Sequence, residues 1–177
     1  IKDPVVNQLF RECQVRITSI ALLHETLHRS HDLSRIKMGD YIRTLTGHLF
    51  RSYGVDPTLI SLELNVDDVE FDIDTGLTCG LIIDELVSNC LKHAFIDDSG
   101  GTVHIDLLDH VDGTFTLCVS DNGIGIPKDG VLNNPDSLGL ELVTLLAEKL
   151  DGSTELRSGA GTEWQIRFQQ LQYSERV

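Results

Sequence analysis

From Val6 to Leu27 one stripe of positions recurs at alternating spacings of four and three: Val6, Phe10, Cys13, Ile17, Ile20, His24 and Leu27. That is the a/d seam of a coiled coil. Asp3-Pro4 supplies an N-cap and a first-turn proline, and for roughly the next thirty residues neither glycine nor proline interrupts the pattern. The spacing predicts one long helix whose stripe needs covering. No other part of the chain carries a matching long heptad helix. The cover is therefore a segment upstream, a second copy of the protein, or the helix's own domain if the stripe folds back onto it.

After the polar run Arg29-Ser30-His31-Asp32, a second amphipathic helix carries Tyr41, Ile42, Leu45, Leu49 and Phe50, with Gly54 as its C-cap. The period then changes to two. Ile60, Leu62, Leu64 and Val66 alternate with polar residues as in a half-buried strand, and a short strand over 69–73 follows Asp67-Asp68. Asp74 or Thr75 caps a third helix that reaches about Phe95. Beyond Ser99-Gly100-Gly101, strands over 102–108 and 114–120 meet across Asp112-Gly113, a hairpin signal. Residues 123–136 read as a long loop and 138–150 as a helix ending before Asp151-Gly152. Two last strands, 154–157 and 162–168, flank Gly159-Ala160-Gly161. The elements add up to an α/β (α+β) two-layer sandwich of a mostly antiparallel sheet with helices on one face, preceded by a helical stalk.

Length and composition narrow the class. A chain of 177 residues suits one domain with a short extension, since single domains centre near roughly 100–150 residues. The 41% hydrophobic and 24% charged shares are those of a folded chain, and no stretch approaches the roughly 20 apolar residues of a membrane span. Fourteen Lys and Arg against 28 Asp and Glu leave a net charge of −14, a field that repels phosphate backbones and anionic lipid. Neither a nucleic-acid partner nor membrane contact is expected. A polyphosphate would have to be held locally, through backbone N–H groups, one or two cations and a divalent metal. Cys13, Cys79, Cys90 and Cys118 are widely separated and lie among apolar residues, which fits buried free thiols rather than zinc or disulfides. The N-terminus shows no basic-then-apolar signal pattern and opens with Ile1 rather than Met, so the expectation is a cytoplasmic protein and a piece of a longer one.

Four places can carry chemistry. On the third helix Cys79, Ile82, Ile83, Leu86, Cys90 and Ala94 share a core face, and Glu85, Asn89 and Lys92 fall beside it with His93 on the border. Asn89 offers a carbonyl oxygen to Mg²⁺, Glu85 can accept from a metal-bound water, and Lys92 can meet phosphate charge. A solvated helix edge with an i,i+4 polar pair is the plainer explanation. Directly after an apolar strand comes Asp121-Asn122-Gly123-Ile124-Gly125-Ile126-Pro127. Its glycines let backbone approach a flat ligand, and Asp121 can accept from an exocyclic amine, although Asn-Gly is also a common turn. Ser137-Leu138-Gly139-Leu140 opens a helix whose free N–H groups suit an anion, or is ordinary serine capping. Gly161-Thr162-Glu163 begins the last strand, where a threonine hydroxyl can touch a ligand or pair within the sheet.

In that order and spacing the four resemble the N box and glycine boxes of the GHKL ATP-binding fold, of Bergerat type, in a sensor histidine kinase. The wording Gly80-Leu81-Ile82-Ile83-Asp84-Glu85-Leu86-Val87-Ser88-Asn89 with Lys92-His93-Ala94-Phe95 is similar to the branch with the second-type dimerisation region. Ala21-Leu22-Leu23-His24-Glu25 and Asp32-Leu33-Ser34-Arg35-Ile36 are similar to it as well. The resemblance implies residues 1–35 as part of the dimerisation helices and 36–177 as the ATP-binding domain. It implies ATP and Mg²⁺ as cofactors, a response-regulator receiver domain as partner, and a homodimer through the N-terminal helix. It implies that Asp121 bonds the adenine amino group, with Gly123 and Gly125 shaping that wall and Thr162 behind it. Asn89 would ligate Mg²⁺, with Glu85 as second metal group, and Lys92 and His93 would approach phosphates or ribose. Glu85, Asn89 and Lys92 form the catalytic end, Ile126 completes the glycine loop, and Ser137, Leu138, Gly139 and Leu140 open the phosphate-facing helix. Residues 128–136 would be the lid over the nucleotide.

The family's phosphate-accepting histidine lies in a box resembling His-His-Arg-Val-Lys-Asn-Asn on the first helix of a hairpin, and these 177 residues hold no such box. The chain reads as starting on the second helix. His24-Glu25 pairs a histidine with an acid, yet its seam position faces the partner helix; His28 and His31 read as surface residues. A GHKL serine kinase of anti-sigma type, an ATPase using Glu85 against water, and a non-catalytic dimerisation scaffold are the rival expectations. If the seam pairs in trans, Ile17→Asp buries an unpaired carboxylate and converts a dimer to a monomer at micromolar concentration. Light scattering reads this directly, and an unchanged mass counts against the trans pairing.

Overall fold

The computed structural model describes residues 35–95, 100–126 and 137–170, together with positions 17 and 21. Within them the chain runs β1 (Arg35–Lys37), α1 (Met38–Ser52), β2 (Ile60–Val66), β3 (Glu70–Asp72), α2 (Ile73–Asn89) and a π-helical continuation (Cys90–Ala94). There follow β4 (Gly101–Asp109), β5 (Thr114–Asp121), α3 (Ser137–Lys149), β6 (Ser153–Gly159) and β7 (Gly161–Gln169). Five strands form one sheet in the order β2-β4-β5-β7-β6, β2 parallel to β4 and the other neighbours antiparallel. The mixed, mostly antiparallel α+β architecture is the one the sequence pattern indicates. Ile17 and Ala21 are helical and exposed, Ile17 to 66%; the rest of the heptad stripe, with His24, His28 and His31, lies outside the described residues. None of the described helices is long and apolar enough to cross a membrane.

Alternation along the strands separates two faces. Val103, Ile105 and Leu107 of β4, Leu117 and Val119 of β5, and Ile166 and Phe168 of β7 are buried towards the helices. The other phase carries polar contacts in water: a hydrogen bond between His104 and Glu63 at 3.1 Å, and ion pairs from Arg157 to Glu155 at 2.9 Å and to Glu163 at 3.0 Å. Such exposed pairs add little stability. The helical layer centres on α2, which meets both α1 and α3. Met38, Tyr41, Ile42, Leu45 and Leu49 of α1 are fully buried against it. Gly80 makes room for Tyr41, whose ring and hydroxyl occupy the space a Cβ would take. That hydroxyl is buried without a hydrogen-bond partner. Burial first, then the charge of Asp84, pushes its pKa well above the ordinary tyrosine value.

Three local features differ from the sequence expectations. The cap of α2 is Asp72, not Asp74 or Thr75, which already lie inside the helix. Asp72 is extended, and its carboxylate accepts from the Thr75 N–H at 2.9 Å, the Thr75 hydroxyl at 2.7 Å and the Gln170 amide at 3.2 Å. The strand expected over 69–73 shrinks to β3, and its partner is β1 in a separate two-stranded sheet, with Ile36 opposite Phe71. Three residues are too few to show a period, so β1 left no pattern to read. Phe71 anchors this small sheet to the large one, its ring centroid 4.8 Å from Phe115 and 5.8 Å from Phe168. Finally, the third helix does not stay α-helical to its end: from Cys90 it widens into a π turn.

Partial burial opposes the ionised form of Asp72, yet the hydrogen bonds from Thr75, Gln170 and Asp74 outweigh it and hold its carboxyl below the ordinary value. A folded pKa below the unfolded one stabilises above the unfolded value and loses that stabilisation as pH falls through the folded value. Asp72→Ala is expected to cost about 1 kcal/mol at neutral pH, the usual worth of an N-cap. In urea titrations its deficit should narrow below roughly pH 4, and a pH-independent deficit would contradict the charged cap.

Candidate functional site

On α2, Glu85 is 8% exposed and Asn89, one turn later, is half-buried. A regular α-helix would align Lys92 with both. The π turn over Cys90–Ala94 changes the phase, leaving Lys92 half-buried, His93 exposed and Ala94 back against the core. Single π turns inside α-helices recur at functional sites because they re-aim side chains. Phe95 then leaves the helix in extended conformation.

The end of the π turn is fastened to the loop after β5. Asp121 closes that strand, 9% exposed, and its Oδ1 accepts the Gly123 N–H at 2.9 Å. Gly123 lies flush against Ala94, where a Cβ would overlap the carbonyl, and the same carbonyl accepts the Ile124 N–H at 3.0 Å. Burial foremost, then the negative charge of Asp121, pushes the Cys90 thiol well above its ordinary pKa. Asn122 bridges sideways, its Oδ1 accepting the Thr102 N–H at 2.8 Å.

The remaining motifs make two further sets of contacts. Gly125 has φ +72°, and a Cβ there would stand 2.6 Å from the Gly159 carbonyl oxygen. The Ile126 N–H donates to Ser158 Oγ at 2.9 Å, and Thr162 is the cross-strand partner of Asp121. At the start of α3, a Cβ on Gly139 would stand 2.7 Å from Glu85 Oε2. The first turn of α3, where helical N–H groups lack intrahelical acceptors, thus borders the Glu85 carboxylate, with Leu140 half-buried beside it. Ser137 and Leu138 open that turn; their side chains, and the expected lid at 128–136, lie outside the described residues. Sequence reasoning missed Ser158 and Asn122; it read Cys90 as core, and Cys90 is buried there. His48, His104 and His110 bond to neighbours elsewhere, His48 to Ser52 and His110 to Thr116.

A buried carboxylate on a glycine-lined loop, next to a helix edge bearing an acid and an amide, has the donor set of a site for an amine-bearing ring and an anionic tail. Residues 76–172, more than half of the chain, match the family described as Histidine kinase-, DNA gyrase B-, and HSP90-like ATPase. The chain belongs to this family. Its first part, residues 1–53, matches a second model of the HisKA_2 type, described as Histidine kinase, which puts it on the histidine kinase branch. It is 32% identical over 157 residues to the sensor histidine kinase PdtaS of Mycobacterium tuberculosis, covering 86% of this chain and 30% of that protein. It is 31% identical over 104 residues to the blue-light-activated histidine kinase 2 of Erythrobacter litoralis, covering 58% of this chain and 30% of that one. The chain thus spans about 30% of the length of these curated relatives. Among solved structures, the histidine kinase domain of the Erythrobacter litoralis EL346 blue-light-activated kinase superposes with a TM-score of 0.77 at 24% identity, over 89% of this chain and 74% of that one. The mycobacterial sensor kinase MprB gives 0.61 at 19%, over 77% and 98%. Both likenesses speak for the fold.

Within this ATPase fold the donor set suits Mg²⁺, which takes one or two protein oxygens and completes its shell with water and substrate phosphates. Asn89 and Glu85 offer such oxygens, and no cluster of three or more His, Cys, Asp and Glu ligands occurs among the described residues. Gly123→Ala tests the fastening of the loop. Its methyl group must displace the Ala94 carbonyl, so the Ile124 bond breaks and stability falls by about 1–3 kcal/mol. Amide exchange should accelerate at Ile124 while β4 stays protected.

Proposed function

We propose that this chain is the ATP-binding catalytic portion of a two-component sensor histidine kinase, with residues 1–35 as part of the dimerisation helices and 36–177 as the catalytic domain. Two contacts on α2 support the reading: the start of α3 lies against Glu85, and the loop after Asp121 is fastened to Ala94 at the far end of the same helix. Asp121 accepts from the adenine amino group, Gly123 and Gly125 let the loop backbone lie against the ring, and Thr162 stands behind Asp121 on β7. Asn89 and Glu85 hold Mg²⁺, which when bound neutralises phosphate charge. Lys92 and His93 approach phosphates or ribose, and the N–H groups of Ser137 through Leu140 receive phosphate oxygens.

In the reaction the bond from the γ-phosphorus to the β–γ bridging oxygen breaks, a bond to an imidazole nitrogen forms, and ADP leaves. The phosphoryl group then passes to an aspartate of a response-regulator receiver domain. Catalysis here is positioning and charge neutralisation, so the protein contributes few bond-making groups. The family's acceptor box is not found in these residues, so nucleotide binding is expected and autophosphorylation is weak or absent. The heptad stripe supports pairing of two copies. Unpaired Cys79, Cys90 and Cys118 favour a reducing, cytoplasmic setting.

Calorimetric titration of Mg·ADP and Mg·GDP into the wild type and Asp121→Asn tests the reading. Saturable binding that prefers ADP and is lost in Asp121→Asn is the expected result. No binding to a well-folded wild type would favour a scaffold, and steady phosphate release abolished by Glu85→Gln would favour an ATPase.

A further inference from the structure

The β6–β7 hairpin meets the loop after β5 at both of that loop's ends. Gly161, with φ +103°, lies flush against Asp121, where a Cβ would overlap the carbonyl. Gly125 lies over the other arm of the hairpin. A Cβ on it would stand 2.6 Å from the Gly159 carbonyl oxygen and 3.1 Å from Ser158 Oγ. That hydroxyl oxygen accepts the Ile126 N–H at 2.9 Å. The loop is thus held by three acceptors in succession: Asp121 Oδ1 for the Gly123 N–H, the Ala94 carbonyl for Ile124, and Ser158 Oγ for Ile126. The first lies at the loop's own start and the second at the end of the π turn. Ser158 alone of the three comes from β6.

We propose that Ser158 is a positioning residue for the nucleotide: its hydroxyl holds the backbone from Gly123 to Ile126 in the shape that lies against the base before the base arrives. The inference rests on the reading of this loop as the wall of the adenine site. Two of the loop's residues are glycines, which lose the most conformational freedom when a chain is ordered. A loop already held in its bound shape loses less of that freedom on binding. A ring laid on the loop also excludes water from its N–H groups, and an N–H left there without an acceptor is costly. Ser158 supplies the acceptor for Ile126 from within the protein. It is exposed and sits on the edge strand of the sheet, so replacing it leaves the core intact.

The test is calorimetric titration of Mg·ADP into the wild type, Asp121→Asn, Ser158→Ala, Ser158→Val and Ser158→Thr, with amide exchange measured on each. Threonine keeps the hydroxyl and suits a strand, and valine has the shape of threonine without it. In Ser158→Ala and Ser158→Val the Kd should rise roughly three- to tenfold, the scale of one hydrogen bond. Exchange at Ile126 should accelerate in both while β6 and β7 stay protected, and Ser158→Thr should restore both readouts. Weakening that is equal in all three Ser158 variants, or that comes with lost protection along β6, would assign the effect to packing of the hairpin and overturn the proposal. Wild-type affinity in Ser158→Ala and Ser158→Val, with binding lost in Asp121→Asn, would overturn this inference alone. A wild type that does not bind ADP, or undiminished binding in Asp121→Asn, would overturn the reading of the site and this inference with it.

Discussion

The structure depends on burying α2 between the sheet and its helical neighbours. A helix covered on most sides leaves few of its polar groups to water, so each must be answered by the elements around it. The N-terminal end is answered by Asp72 and the C-terminal end by the N–H of Ile124. Glu85, in the middle, sits against the start of α3. The site is what these answers leave behind. Two of these contacts bring parts distant in the chain, the loop after β5 and the start of α3, against α2.

Small side chains set how closely those parts approach. Gly80 admits Tyr41 and thereby docks α1, while Gly123 lets the strand-end loop touch the helix backbone itself. The two glycines act at different places along α2, Gly80 within it and Gly123 against Ala94 at its far end. The thiols divide in a similar way. Cys79 and Cys90 are buried and held protonated, and Cys118, on the polar face of the sheet, is pushed up to about 11 by burial and by Glu163 and Asp106. None of the three is a reactive thiol at neutral pH.

Elements with a long period were legible in the sequence. The alternation from Ile60 to Val66, the Asp112-Gly113 hairpin, Gly54 at the end of α1 with φ +65°, and the core face Cys79–Ile82–Ile83–Leu86 all stand where the pattern put them. Short-range or three-dimensional choices were not legible. β1 exists because β3 offers it an edge. The cap moved to Asp72 because an extended residue three positions before Thr75 presents its carboxylate to that N–H. A π turn leaves the composition of a helix unchanged, so nothing in the spacing of Lys92 and His93 announced it. Of the candidate site, the order of its motifs along the chain was readable, as was the place of Asp121 at the end of β5. The cross-links from Ser158 and Asn122 were not, because each depends on which strand lies next to which.

The two-stranded sheet also has a mechanical meaning. β1 directly follows the N-terminal segment, pairs with β3 over three residues, and seats Ile36 in the hollow at Gly76, where a Cβ would stand 2.5 Å from its Cδ1. β3 in turn ends on the residue that caps α2. A pull or twist applied to the chain ahead of Arg35 therefore loads this short ladder in shear and reaches α2 at its first turn. At 1.5 Å per residue, the rod from Ile73 carries that load about 24 Å to Asn89. The two-stranded sheet thus ties the chain at Arg35 to the first turn of α2.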